Sequence, residues 1–175
     1  MGIYLDDVVT NTSRSVYYFL NNQTYSGAGI GGRTLKSRFN DPGLNIVTGF
    51  PDALEKMDVP TIAIDSESTS RQEITFGSTI HEQNFDFVIH GFAGGHTSDN
   101  KNQLQRDQLM NDIIGILEET DKIDYYKDGS FTSADSDLVL GETITGRKIP
   151  PTSPLQAEKY RFEVGFTVQF IKSDG

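Results

Sequence analysis

The sequence predicts an α+β fold, a single domain in which a mainly antiparallel sheet packs against two main helices. Residues 160–170 alternate strictly between apolar and polar side chains, which is typical of a half-buried strand. Residues 100–119 carry apolar side chains at helical spacing, and residues 59–92 are rich in short alternating runs. Helices that are separated along the chain by blocks of strands favour an antiparallel sheet covered by helices.

The chain begins with a predicted amphipathic helix over residues 3–21, where apolar residues recur on one helical face. Residues 21–32 follow and are rich in Asn, Ser and Gly, so we predict an extended loop there.

A turn signal at residues 41–43, Asp-Pro-Gly, predicts a hairpin whose strands cover residues 33–39 and 44–50. Pro51 then suits the first position of a short helical turn over residues 51–57.

The middle of the chain predicts three strands, at residues 61–64, 72–76 and 84–92, followed by the helix at 100–119. A long polar segment comes next, residues 122–159, and we predict an extended loop that contains at most a short strand pair at residues 138–140 and Ile144. The strand at 160–170 completes the fold.

The composition excludes several classes of function. Lys and Arg number 15 against 25 Asp and Glu, so the net charge is −10. This charge repels phosphate, and we therefore expect no nucleic-acid binding, sequence-specific binding included. It also disfavours anionic membranes, and no apolar run approaches the roughly 20 residues that span a bilayer. The absence of Cys excludes thiolate zinc sites and cysteine nucleophiles.

The glycine-rich segment 27–32 matches the G-x-G-x-x-G pattern of dinucleotide-binding sites. That site needs a strand before the glycines and a helix after them. Here a helix is predicted before them, and the turn at 41–43 leaves no room for a helix behind them. We therefore interpret the segment as a flexible loop and expect no cofactor.

The three histidines, His81, His90 and His96, lie around the predicted strand at 84–92. Their spacing does not give the local ligand pairs of a metal site, and the acidic clusters lack the spacing of a calcium loop. Asp86 and His90 share one face of that strand, so they form a conceivable carboxylate–histidine pair, although ordinary surface residues are the simpler interpretation. No known catalytic motif occurs, and we predict neither catalytic nor metal-binding residues and no enzyme.

Arg147 and Lys148, beside Pro150 and Pro151, form the only locally basic and stiff stretch of this acidic chain. One interpretation is a solvent-exposed loop whose prolines limit its flexibility. The other is a protein-docking arm that meets an acidic patch on a neighbouring copy, because acidic subunits need local reversals of charge where they associate.

The order of the predicted elements resembles that of a known family. An amphipathic helix leads into alternating strands, a polar loop, a second helix, another polar loop and a long final strand. The stretches that carry this likeness are residues 59–64, 72–76, 85–92, 106–114 and 160–170. Their order and texture resemble the tail-terminator, or tail-completion, proteins of long-tailed bacteriophages.

The resemblance implies a subunit that assembles into a ring, usually a hexamer. The ring would cap the head-proximal end of the tail tube, stop its polymerisation and join the tail to the head connector. The implied partners are further copies of the chain, the tail tube protein, the connector or neck protein and, in contractile tails, the sheath. The implied location is the tail–head junction of a virion assembled in the host cytoplasm, without enzymatic activity or cofactor.

Three structural expectations accompany this resemblance. The loops at residues 21–32 and 122–159 are candidates for docking arms or sheath contacts. An exposed edge of the C-terminal strand is expected to pair with a neighbouring subunit or the tube. An acidic lumen would let DNA pass without trapping its phosphates.

Two other functions stay open at this point. One is a head-completion or neck adaptor that binds on the portal side. The other is a small ligand-binding domain or enzyme that uses Asp86, His90 and His96, which would require a concave pocket holding those side chains.

Overall fold

A computed structural model of the protein shows a mixed sheet with helices packed on it, which confirms the predicted α+β class. The structure describes residues 8–22, 24, 32–40, 43–49, 59–73, 80–127, 131–149 and 160–173. Within these ranges the helices are α1 (Val8–Asn22), α2 (Leu35–Arg38) and α3 (Asp99–Glu118). The strands are β1 (Asn45–Thr48), β2 (Thr61–Glu73), β3 (Ile80–Ala93), β4 (Lys122–Tyr125), β5 (Ser136–Leu140), β6 (Thr145–Ile149) and β7 (Tyr160–Ser173).

Three long strands, β2, β3 and β7, form the centre of the sheet. The strand order is β1-β2-β3-β7-β5-β4, and β6 pairs with residues 161–165 on the same edge of β7 as β5. β1 runs parallel to β2, whereas every other pairing is antiparallel. The sheet is therefore mainly antiparallel, as predicted. Each of its longest strands, β3 and β7, has 14 residues and spans about 45 Å.

The core lies between one face of this sheet and the helices. Alternate side chains of β3 and β7 point into it, which is why both strands show the apolar–polar alternation in the sequence. They meet the buried apolar stripe of α3 and the apolar residues of α1. The largest of these side chains are Phe85, Phe87, Ile89, Phe162, Leu109, Ile113, Ile116 and Leu20.

Helix α1 packs against β1, β2 and β4, which come from opposite ends of the strand order, so the sheet curls around this helix. The buried Ser15 joins α1 to the end of β4. Its Oγ donates to the Asn11 carbonyl oxygen at 2.7 Å and accepts from the Tyr126 backbone N–H at 3.0 Å.

Most of the predicted elements are confirmed. The helices predicted at 3–21 and 100–119 correspond to α1 and α3, and the strands predicted at 84–92 and 160–170 correspond to β3 and β7. The strand predicted at 61–64 continues without interruption as β2 to Glu73, and a shift in register between Ser66 and Ser68 accommodates the Ser-rich stretch as a bulge.

The predicted hairpin around residues 41–43 is wrong. Residues 35–38 form the helical turn α2, because the Thr34 Oγ1 caps it by accepting from the Ser37 backbone N–H at 3.2 Å. Asn40 and Gly43 form an isolated antiparallel bridge around the turn, but the following strand β1 pairs in parallel with β2, so the two predicted strands do not form a hairpin.

The extended loop predicted at 122–159 is also wrong over its described part, which contains β4, β5 and β6. β5 pairs with β4 and β7, and β6 pairs with β7, so residues 138–140 and Ile144 do not form a pair with each other. β3 lines one edge of β7, and on the other edge β6 pairs with residues 161–165 and β5 with residues 168–169. The expected exposed edge of the C-terminal strand is therefore covered over these residues.

Several predictions fall outside the described residues. They concern the helical turn at 51–57, residues 150–159 and most of the loop at 21–32 with its glycine pattern. Among the described helices, none has both the length and the apolar character needed to cross a membrane.

Candidate functional site

The face of the sheet turned away from the core, here called the outer face, is largely polar along β3 and β7. It carries the alternate residues that the core does not use. Cross-strand hydrogen bonds order them: Thr167 Oγ1 donates to Asp86 Oδ1 at 2.8 Å, and Gln169 Nε2 lies 3.5 Å from Asn84 Oδ1. The outer face is therefore a hydrated surface in which neighbouring side chains fix one another.

A row of charges, the charge row, crosses the outer face from β6 to β2. Glu163 stands directly opposite both Arg147 and His90 in the strand register. The Arg147 Nη2 and Nε lie 3.0 and 3.2 Å from Glu163 Oε2, and His90 Nδ1 lies 3.5 Å from Glu163 Oε1. His90 Nε2 is 4.0 Å from Asp65 Oδ2. Base and acid thus alternate across four strands.

His90 is buried, and its carboxylate neighbours differ from the one that the sequence suggested. Asp86 accepts from Thr167, whereas Asp65 and Glu163 flank His90. Residues four apart on a strand are about 13 Å apart, while residues opposite each other on paired strands are about 5 Å apart. Cross-strand neighbours therefore replace the pair predicted within β3, and sequence alone could not reveal them without the register.

His96 belongs to a different region, the loop that leads into α3. The buried Gln105 accepts from the Gly94 backbone N–H at 3.2 Å, and this bond directs its Nε2 toward His96 Nε2 at 3.4 Å. The set of Asp86, His90 and His96 is thus split between the outer face and the start of α3. Within the described ranges, no three His, Cys, Asp or Glu side chains are grouped so as to hold a metal ion.

Arg147 and Lys148, the predicted docking residues, lie in β6 with their side chains on opposite faces of the sheet. Arg147 is paired with Glu163, and the Lys148 Nζ lies 3.1 Å from Asp107 Oδ1 on α3. Both cations therefore have carboxylate partners within the chain. Pro150 and Pro151 fall outside the described residues.

Asp107 receives a second cation, because Arg106 Nε lies 3.0 Å from the same Oδ1. Burial alone would raise the pKa of Asp107, but the hydrogen bonds and positive charges of Lys148 and Arg106 outweigh it and lower the pKa. This carboxylate thus ties β6 to α3.

A cavity of about 230 Å³ opens between α2 and the N-terminal half of α3. Arg38 and Phe39 form one wall, and Lys101, Leu104 and Gln108 form part of the other. Leu104 is 57% exposed, which is unusual for a leucine in the first half of a helix that packs on a core. The cavity combines the positive charge of Arg38 and Lys101 with the apolar Phe39 and Leu104, and that charge favours a carboxylate-bearing guest.

The floor of this region contains a buried acid. Arg38 Nε lies 3.6 Å from Asp112 Oδ2, a distance too long for a hydrogen bond, and the Asp112 side chain is only 4% exposed. Burial raises the pKa of Asp112, and the nearby guanidinium groups of Arg38 and Arg33 offset only part of the increase.

We expect Asp112→Asn to leave the free energy of unfolding at pH 7 unchanged or to raise it by up to about 1 kcal/mol. The replacement removes a buried charge, and Arg38 keeps contact with water, so no charge is stranded. Because the pKa is raised in the folded state, wild type should gain stability relative to the variant as pH falls from 7 through that pKa toward about 4. Urea unfolding of both proteins across this range measures the difference.

The other titrating carboxylates are common to the two proteins and cancel in that comparison. Two results together would contradict this account of Asp112. They are a loss of several kcal/mol in the free energy of unfolding of Asp112→Asn at pH 7, and a difference in stability between the two proteins that does not change with pH.

A second cavity, of about 510 Å³, lies at the opposite end of α3, where α1 and β4 meet. Glu119, Asp121 and Asp124 give it negative charge, which Lys122 offsets in part, and Tyr18 and Tyr126 supply aromatic walls. Burial raises the pKa of the Tyr126 hydroxyl, and Asp124 adds to this increase. Carboxylates beside aromatic rings favour a cationic guest, such as a Lys or Arg side chain.

The sequence did offer a signal for the basic cavity. Arg33, Lys36 and Arg38 lie within six residues. Because a strand was predicted over residues 33–39, their grouping at one helical turn was not predicted. Their cluster and the acidic cavity are more polar than small-molecule pockets, which are mostly apolar. No protein-family model matches the chain, and no curated protein matches it either.

Proposed function

We propose that the chain is a structural virion protein whose copies form a ring, cap the head-proximal end of a phage tail tube, stop its polymerisation and join it to the head connector. The resemblance in element order suggests this function. The observation that supports it most strongly is the outer face of the sheet, which is a long, ordered and polar surface with a net negative charge.

The charge of the outer face suits the wall of a DNA channel. At the paired positions of β2, β3, β6 and β7, this face carries the carboxylates of Asp65, Glu82, Asp86 and Glu163 against the guanidinium groups of Arg147 and Arg161, a balance of 2 − 4 = −2. DNA binds where Lys and Arg release its counterions, so a surface with this balance would let phosphates pass. The cross-strand hydrogen bonds also hold these side chains in fixed positions, so that they stay close to the surface of such a wall.

The cavities support assembly more than catalysis. Charged side chains line both of them, and on the outer face Arg147 forms an internal ion pair with Glu163. Surfaces of this kind steer and orient protein partners.

The proposal predicts that purified chain shortens tail tubes when it is added to the polymerising tube protein of the same virion. A cap at one end blocks further addition there, so the mean length measured by negative-stain electron microscopy should fall as the concentration of the chain rises. The chain should also sediment with finished tubes.

Tube protein polymerised alone provides the reference length. Unchanged lengths, with the chain left in the supernatant, would count against a terminator. Binding to the isolated portal or connector without binding to tubes would instead indicate the neck adaptor.

A further inference from the structure

Two groups of cations in the described part of the chain differ in their surroundings. Arg106, Lys122, Arg147 and Lys148 each lie within 4.0 Å of a carboxylate of the same chain. The second group consists of Arg33, Lys36, Arg38 and Lys101, and we call it the basic patch; Arg38 and Lys101 line the cavity between α2 and α3, and Arg33 and Lys36 lie just before and within α2. Of these four, Arg38 lies 3.6 Å from the buried Asp112. Lys36 and Lys101 are exposed, and neither forms an ion pair with any residue that the structure describes.

The opposite end of α3 carries the reverse charge. Glu118, Glu119, Asp121 and Asp124 are all exposed there, and we call these four the acidic patch. Three of them line the second cavity together with Lys122, which lies 3.6 Å from Asp137 and leaves the patch with a net negative charge. Helix α3 has 20 residues, so the two patches are separated by about 30 Å. One molecule therefore presents complementary surfaces at its two ends.

Both patches oppose the dipole of α3. Lys101 lies in its first turn and Glu118 in its last, although positive charge is unfavourable at a helix N-terminus and negative charge at a C-terminus. Asp99 in the first turn compensates part of the charge at the N-terminal end. The remaining cost within one molecule is relieved if each patch meets the opposite charge in another copy.

We propose that the basic patch of one copy docks on the acidic patch of the next, in a head-to-tail contact that builds the ring. In this contact Lys36 and Lys101 face Glu119 and Asp121, and the exposed Leu104 approaches the aromatic wall around Tyr18. Head-to-tail contacts use two different surfaces and close into a ring when the rotation between copies allows it. This inference rests on the proposed function, because that function requires self-assembly.

Charge reversal tests the contact. Lys101→Glu and Glu119→Lys should each raise the apparent dissociation constant of the assembly by about 10-fold or more, because each places like charges together. Their equimolar mixture should assemble better than either variant alone, since each retains the intact patch that the other lacks. Sedimentation velocity over a dilution series, at low and high ionic strength, measures the constants.

Two reversals elsewhere serve as matched controls. Arg14→Glu on α1 and Glu142→Lys before β6 change the net charge equally at exposed positions, and both should assemble within about twofold of wild type. Circular dichroism confirms that every variant is folded.

The outcomes separate the contact from the function. If wild type assembles and Lys101→Glu and Glu119→Lys assemble as well as their controls, the contact is overturned while the ring stands. If wild type forms no assembly, alone or on tail tubes, the proposed function fails and the contact fails with it.

Discussion

Replacing Gly91 with alanine should lower the free energy of unfolding by about 3 kcal/mol. Gly91 lies in β3 directly opposite Phe162 of β7, and the Phe162 ring lies across the glycine. A Cβ added at Gly91 would be 2.0 to 2.5 Å from three ring carbons. Because Phe162 is only 1% exposed, the ring has no free space into which it can rotate.

Gly115→Ala provides the control for Gly91→Ala. Gly115 lies within α3, and nothing stands within 4 Å of a Cβ built there. Alanine should therefore raise stability by about 0.5–1 kcal/mol through its better helix propensity. Urea denaturation followed by circular dichroism measures both changes.

Gly91→Ala in the Phe162→Ala variant tests whether the Phe162 ring is the group that clashes with a Cβ at position 91. Phe162→Ala alone should cost about 3–5 kcal/mol, as expected when a buried ring is truncated. Adding Gly91→Ala to that background should then cost little, because the ring is gone and the two changes couple. If Gly91→Ala costs the same in both backgrounds, the Phe162 ring is not the reason for glycine at this position.

The helices and strands that could be predicted from the sequence are those whose apolar side chains recur at a single regular spacing. β7 alternates without a break because every second side chain enters the core, and α3 carries a stripe that meets the sheet. β6 gave no such signal. Its residues are mostly exposed, Arg147 turning to the outer face and Lys148 to α3, so no apolar period marks it as a strand.

The candidate site is formed by residues that lie far apart in the sequence. Which of them become neighbours depends on strand pairing, and a single sequence does not reveal that pairing. The partners of His90 come from β2 and β7 and are fixed by register alone. Internal carboxylates lie beside Arg147 and Lys148, and docking through these two residues stays a prediction. The exposed lysines of the basic patch lie at α2 and α3, two elements that meet only in the folded chain, where Arg38 and Lys101 line one cavity.

If the chain is a tail terminator, removing it from the virion should have the largest effect of all on assembly. If the chain caps the tail tube, particles made without it have no signal that ends polymerisation. Their tails should be overlong and variable in length, and they should remain unjoined to heads. Supplying the intact chain from a plasmid should restore a single tail length.

The measurement that tests this claim most directly is the distribution of tail lengths in electron micrographs of particles assembled without the chain. The proposed terminator predicts a broad distribution that extends beyond the wild-type length, together with full heads that carry no tails. Tails of normal, uniform length beside heads that have lost their DNA would contradict it and would indicate an adaptor on the head side.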